Sequence, residues 1–352
     1  MKETRTKSSP NYGRRFLLLG LGFALVFLGS FLLGRYSVSL SATLRILWSR
    51  LLEGLSFGRI VPRVTWTGQE EAVVLNIRLP RILVAALVGA ALSTAGASYQ
   101  GMFRNPMVSP DLMGASTGAG FGAALAILLR LPYFGIMVCA FCFGLGAVLL
   151  AWLVSRFSRL NATLALVLAG VMISSLFSAC TSFVKLVADT QDQLPAITYW
   201  LMGSLSSIKG GDVAFAAIPI LLGLIPLTLL RWRMNLLTLT EAEARSMGLN
   251  TARLRLAVIL CATLVTAASV AVSGMIGWVG LVIPHFCRML FGYDYRRIIP
   301  ASVLMGAGFL MLVDDIARVI TTSELPLGIL TSFVGAPVFV YLIVQGGAER
   351  EH

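Results

Sequence analysis

Long apolar runs alternate along this chain with short polar or basic stretches, and the spacing of those runs predicts its elements. A helix crossing the hydrocarbon of a bilayer needs about 20 mostly apolar residues at 1.5 Å rise each. Runs of that kind lie at 16–34, 79–103, 112–130, 133–154, 162–186, 213–231, 255–275, 276–291, 299–320 and 326–345. The pattern predicts an all-α polytopic membrane protein of about ten transmembrane helices, forming one domain over 16–345 between short tails at 1–15 and 346–352. Segments seven and eight make one continuous run, divided here at Gly274, Gly277 and Gly280. The long outer loop 35–78 contains LSATLRILWSRLLEGL, which places Leu40, Leu44, Leu47, Leu51 and Leu55 on one helical face beside Trp48. That face suits either an amphipathic helix at the outer interface or a loop helix packed on the bundle.

Composition supports the membrane reading. The chain is 57% hydrophobic and 12% charged, about half the charge of an ordinary soluble domain. Its net charge of +12 does not gather into a basic groove with interleaved aromatics, so nucleic acid is not indicated as a partner. The charges sit between the apolar runs. With the N-terminus inside, 17 Lys and Arg face the cytoplasm against 11 outside, and seven of those 11 belong to the one long loop 35–81. The positive-inside rule is weak for long loops, so both termini are expected to be cytoplasmic. Phe16–Gly34 follows a basic tail as a signal peptide would, but it is long enough to span and no clear cleavage site follows, so it reads as the first helix. The five cysteines lie inside apolar stretches without metal-site spacing and read as buried thiols.

Packing without a hydrophobic drive between helices calls for small residues. Gly114, Gly118 and Gly122 give two overlapping GxxxG steps on the third segment, and Ala85, Gly89 and Gly96 notch the second. Ionisable groups inside the spans are few: His285, and the Asp314–Asp315 pair towards the outer end of segment nine, where Asp314 and Arg318 are spaced to pair at i,i+4. A proton-driven carrier needs a relay of such groups, so proton symport is disfavoured, whereas sodium coupling through backbone carbonyls stays open. No nucleophile–base constellation or HExxH motif is present, and none of the four lysines sits in a GxxxxGK[ST] loop. The chain is not read as an enzyme. If ATP drives it, another subunit must hydrolyse the nucleotide, and ATP with its magnesium would be bound there.

An entry point for that energy lies in the cytoplasmic loop 235–254. Residues 239–247 suit a short helix stopped by Gly248, and Asn250 or Thr251 could cap a second short helix leading into segment seven. Two short helices joined by a glycine make a rigid knob that can transmit a partner's motion.

At this point the residues resemble a family. Glu243-Ala244…Gly248 is similar to the coupling-loop motif of ABC-transporter permeases. RLPR (78–81), GAALSTAGASYQGMFRNPMVSPDLMGAS (89–116), LAGVMISSLFSA (168–179), YWLMGSLS (199–206), GLVIPHFCRMLFGYDYRRIIPAS (280–302) and ELPLGILTSFVGAPVFVYLI (324–343) resemble the FecCD-type permeases of iron-siderophore, haem and vitamin B12 importers. The resemblance implies a type II ABC importer fold with two permeases, identical or homologous, two separate ATPases and an external binding protein, periplasmic or lipid-anchored. It implies an ATPase-coupling loop carrying Glu241, Glu243, Ala244, Arg245, Gly248 and Leu249. It implies binding-protein docking through Arg78, Arg81 and Arg318, and a cytoplasmic gate at Asn105, Pro106 and Met107 with Leu160 and Asn161. Met107 stands where the family commonly has leucine, and loop 56–73 is longer than usual. The implied cargo is a metal chelate, iron-siderophore first and haem or cobalamin next, moved by alternating access across the inner membrane of a prokaryote; no metal site and no bound cofactor is expected on this chain itself. A sodium-coupled carrier and a non-transporting scaffold are the alternatives.

Overall fold

A computed structural model of the chain describes residues 11–34, 36–55, 64–159, 162–239, 241–248, 250–321 and 324–348. The described residues form helices and no strand. In order they are α1 (Tyr12–Ser30), α2 (Leu40–Leu55), α3 (Gly68–Ala72), a π-helical stretch (Val73–Arg78), α4 (Leu79–Phe103), a 3₁₀ turn (Pro110–Met113), α5 (Ala115–Leu128), α6 (Tyr133–Phe157) and α7 (Ala162–Val187). Then follow α8 (Gln193–Met202), α9 (Gly210–Leu237), α10 (Glu241–Ser246), α11 (Thr251–Ser273), α12 (Val279–Phe291), α13 (Tyr295–Val319) and α14 (Leu327–Ala348).

Seven of the described helical stretches are long and apolar enough to cross a membrane, and three shorter apolar helices, Ala115–Leu128, Val279–Phe291 and Leu327–Tyr341, occupy the remaining expected segments. The inner and outer ends of the bundle are named from the charge count, which puts the N-terminal tail inside. At the inner end Arg15 near the start of α1 donates to Leu290 O at the end of α12, and the Arg297 guanidinium lies 3.7 Å from the centroid of the Tyr12 ring. At the outer end Arg78 and Arg318 reach the carbonyls that follow α1.

Helices α4, α11 and α13 form the centre. From Val88 to Met102 every residue of α4 is buried, whereas α1 keeps Leu17, Leu18, Leu21 and Leu25 exposed as a peripheral helix would. Close approach at the centre depends on glycine. A Cβ on Gly96 would collide with the carbonyl of Gly280 on α12, and one on Gly89 with the carbonyl of Gly306 on α13. On α5, Gly118 and Gly122 meet the backbone of α6 at Phe143 and Cys139, so these positions of the expected stripe pack as predicted. Gly114 does not belong to that stripe; it is the turn before α5, with φ +85.

Three boundaries differ from the sequence expectation. The second span begins early, because Thr67 and Glu70 form a capping box and the helix runs without a break from Gly68 through the π-helical turns into α4. The last part of the expected outer loop, 68–78, is thereby helical. The second short helix expected after Gly248 is not separate: Asn250 accepts a hydrogen bond from Arg253 N at 3.0 Å and caps α11, which is the seventh span itself. Helix α8 was not foreseen; its following turn is fastened by Ser204 N to Ser273 O and by Leu327 N to Gly203 O, each 2.8 Å, which bridges the ends of α11 and α14. In α2, Ala42, Thr43, Ile46 and Ser49 are buried while Leu40, Leu44, Trp48 and Leu51 are exposed, so one face packs on the bundle and the other points outward.

Candidate functional site

The segment expected to couple to an ATPase lies between α9 and α11. Glu241–Ser246 is a helix of six residues, with Ala244 turned inward at 1% exposure and Glu243 exposed. Ser246 Oγ donates to Glu243 O at 2.7 Å, and Gly248 closes the turn at φ +75. The side chains of Glu241 and Arg245, and all of Leu249, lie outside the described residues. Met247, which sequence reasoning passed over, is exposed beside Glu243 and Gly248 and gives the knob an apolar tip.

The expected gate residues follow α4. Asn105 Oδ1 accepts from Met107 N at 2.9 Å, which folds Asn105, Pro106 and Met107 into a tight exposed turn. Leu160 and Asn161 lie outside the described residues. The residue before this turn is another that sequence reasoning missed. Arg104 takes a left-handed conformation, φ 51, and turns its guanidinium onto the C-terminus of α9: Nε donates to Leu237 O at 3.0 Å and Nη2 to Leu239 O. The last carbonyls of a helix lack intrahelical donors and carry the negative end of its dipole, so a cation there is favoured. The turn expected to form the gate and the end of α9, which leads into α10, are therefore hydrogen-bonded to each other. A second strut lies nearby, where Asn235 Nδ2 donates to Asp294 Oδ1 and Tyr295 N donates to Asn235 Oδ1, both at 2.8 Å. Burial pushes the Asp294 carboxyl up, but hydrogen bonds from Arg296 N and Asn235 and the charges of Arg296 and Arg297 outweigh it and hold the group below the usual carboxylate range.

At the outer end the structure brings Arg78, Arg81 and Arg318 together, but not as free surface groups: they are 3%, 6% and 7% exposed. Arg81 Nη2 meets Asp314 Oδ1 at 2.7 Å and its Nη1 meets Glu324 Oε2 at 2.9 Å. Arg318 Nε lies 3.3 Å from Asp314 Oδ2, so the i,i+4 pair anticipated from spacing is present, and Nη2 also pairs with Asp315. Ser30 Oγ donates to Asp315 Oδ2 at 2.6 Å, tying α1 to α13. Arg78 donates to Phe31 O and Tyr36 O, and Arg318 Nη1 to Leu33 O at 3.3 Å. Two of the three arginines thus satisfy carbonyls beyond α1, and the third is saturated by acids of this chain. Glu324, with 26% of its side chain exposed, is the most accessible acid of the network. A cavity of about 210 Å³ opens here, with Tyr36, Arg78, Arg81, Arg318 and Glu324 in its wall.

Asp111 falls just before the third apolar run, so the apolar pattern by itself does not place it at depth. The 3₁₀ turn folds back into the bundle, with Pro110 against Gly280, and Asp111 accepts from Ser109 Oγ at 3.0 Å and from Ser116 Oγ. No group of three or more His, Cys, Asp and Glu suited to a metal ion occurs among the described residues.

Comparison with known proteins gives this arrangement a family. Residues 22–345 match the model of the FecCD transport family. The chain is 39% identical over 339 residues to the molybdate import system permease protein MolB of Haemophilus influenzae, covering 95% of this chain and 98% of that protein. It is 45% identical over 275 residues to a permease assigned to iron chelatin transport in Helicobacter pylori, covering 78% and 82%. It is 35% identical over 343 residues to the hemin transport system permease protein HmuU of Yersinia pestis, covering 94% and 97%. Among solved structures, an inward-facing conformation of a metal-chelate type ABC transporter superposes with a TM-score of 0.83 at 37% identity, covering 95% of this chain and 100% of that one. The helical architecture and the match over almost the whole chain together place it: the protein belongs to the FecCD transport family and is a multi-pass permease subunit of an ABC importer, not an enzyme.

Proposed function

We propose that this permease imports a preassembled metal chelate across the inner membrane of a prokaryote, an iron-siderophore complex first and haem or cobalamin next. It works as one of a pair of permeases, each driven by an ATPase subunit and supplied by an external binding protein. The observation that carries the energetic half of this reading is the Arg104 bridge. Motion delivered to α10 reaches the end of α9, and the hydrogen bonds from Arg104 to Leu237 O and Leu239 O pass it to the turn Asn105–Met107. The exposed Glu243, Ser246 and Met247 form the surface an ATPase would grip. The cargo half rests on the relatives, whose names span iron chelatin, hemin and molybdate. A chelate arrives already wrapped and asks the pathway for no metal ligands, which suits a chain without such a cluster among its described residues.

The test is uptake by proteoliposomes holding the permease, its ATPase and its binding protein, with ferric chelate, haem, cobalamin and molybdate offered in parallel. ATP-dependent accumulation of a ferric chelate in preference to the others supports the cargo assignment, and preference for molybdate removes it. In the same vesicles Arg104→Ala leaves ATP hydrolysis running while uptake falls by roughly tenfold or more, because hydrogen bonds to a charged donor contribute about 1.5–3 kcal/mol. Uptake that keeps pace with hydrolysis in that variant would refute the bridge.

A further inference from the structure

A cavity of about 220 Å³ lies at the inner end among Met102 and Phe103 of α4, Trp152 and Ser155 of α6, Thr163 and Leu166 of α7, and the first turns of α11. At about 30 Å³ per water it is far larger than a single ordered water would need. Its walls are divided. One side presents Ser155, Thr163, Thr251 and Arg255; the other presents Met102, Phe103, Leu166, Leu256 and Ile259. Arg255 Nε is buried there and has no hydrogen-bond partner, so a charged donor remains unmet. Arg156 stands 5.4 Å from the centroid of the Trp152 ring, and no acid lines the cavity, so the local charge is positive. The start of α11 adds the positive end of a helix of 23 residues. From the apolar side an exposed stripe continues along α11 through Leu256 and Leu260 towards the middle of the bilayer.

We propose that this cavity binds an anionic phospholipid of the cytoplasmic leaflet, with Arg255 and the start of α11 holding the phosphate and the Leu256–Leu260 side taking an acyl chain. A free anion would satisfy Arg255 but leave the apolar wall unused, and a zwitterionic lipid would fill the wall without the charge match. Basic pockets between spans on this side of a membrane are suited to such headgroups. The bound lipid would sit between α6, α7 and α11, directly above the coupling segment. Exchange of headgroup charge in the surrounding membrane would then alter how firmly α11 is held against α6. The inference uses only the cavity and the orientation of the chain, and stands whichever cargo is carried.

Native mass spectrometry of the purified permease–ATPase complex, supplied with phosphatidylglycerol or phosphatidylcholine, tests it. The wild type should retain one phosphatidylglycerol per permease in preference to phosphatidylcholine, and Arg255→Gln should weaken that retention roughly fivefold, the worth of one surface cation to an anionic lipid. Arg253→Gln, an exposed position on the same turn, should leave retention unchanged, and Arg255→Lys should restore part of it should the glutamine variant fail to assemble. Equal retention of the two lipids, equal retention by Arg255→Gln, or displacement by millimolar inorganic phosphate would each overturn the lipid assignment; displacement by phosphate would leave a soluble anion as the occupant.

Discussion

Arg81 shows how far a residue's surroundings can depart from its place in the sequence. Its motif sits at an outer loop border, yet its guanidinium is enclosed between Asp314 and Glu324. Breaking a buried pair by removing one partner leaves an uncompensated charge and costs about 3–5 kcal/mol. Arg81→Ala should therefore lower the thermal midpoint of the detergent-solubilised protein markedly. Arg81→Ala combined with Asp314→Ala should cost less than the two single changes together, because the groups share one network. Additive losses would show that the pair contributes nothing as a pair. The side-chain spacing of Asp314 and Arg318 was legible in the sequence, since i,i+4 is fixed by the helix. The partnership of Arg81 with residues 233 and 243 positions away was not, because it depends on how α4 packs against α13 and the segment before α14.

The elements were legible where apolar periodicity or a cap defines them, and illegible where tertiary contact does. Glu241–Ser246 and the stop at Gly248 follow from local chemistry: the turn needs a positive φ, which glycine adopts without strain. A Cβ at Gly248 would meet nothing within 4 Å, so bulk by itself is tolerated there and the backbone conformation is what matters. Gly248→Asn, which also accepts the left-handed region, should keep uptake coupled to hydrolysis, whereas Gly248→Val should strain the turn by about 1–2 kcal/mol and reduce coupled uptake while hydrolysis persists. Matching behaviour of the two variants in proteoliposome assays would argue against a conformational role. The early start of the second span could have been found from Thr67 and Glu70, whose spacing is that of a capping box. The π-helical turns at Val73–Arg78 and the unbroken entry of Asn250 into α11 carry no comparable local sign.

At the scale of the whole molecule, the two ends of the bundle hold the residues at which the resemblance implies partner contacts. The outer network is closed upon itself, so the docking of a binding-protein carboxylate that the family resemblance implies at Arg78, Arg81 and Arg318 would require an exchange in which Glu324 releases Arg81. Glu324→Gln should then raise the affinity of the binding protein, and Arg81→Glu should abolish it, as read by surface-immobilised permease–ATPase complex; unchanged affinity in both would remove the docking role. The sequence by itself determined the all-helical membrane class, the order of the apolar segments and the place of the short helix before Gly248. Each follows from composition and from short-range periodicity that a bilayer enforces, since backbone polar groups in lipid must be satisfied within the helix. Only the tertiary structure decided that Arg104 binds the end of α9, that Asp111 turns inward, and that the outer arginines are already partnered. Those facts depend on which helices are neighbours, and that is set by glycine contacts such as Gly96 with Gly280 and Gly89 with Gly306, made between segments nearly two hundred residues or more apart in the chain.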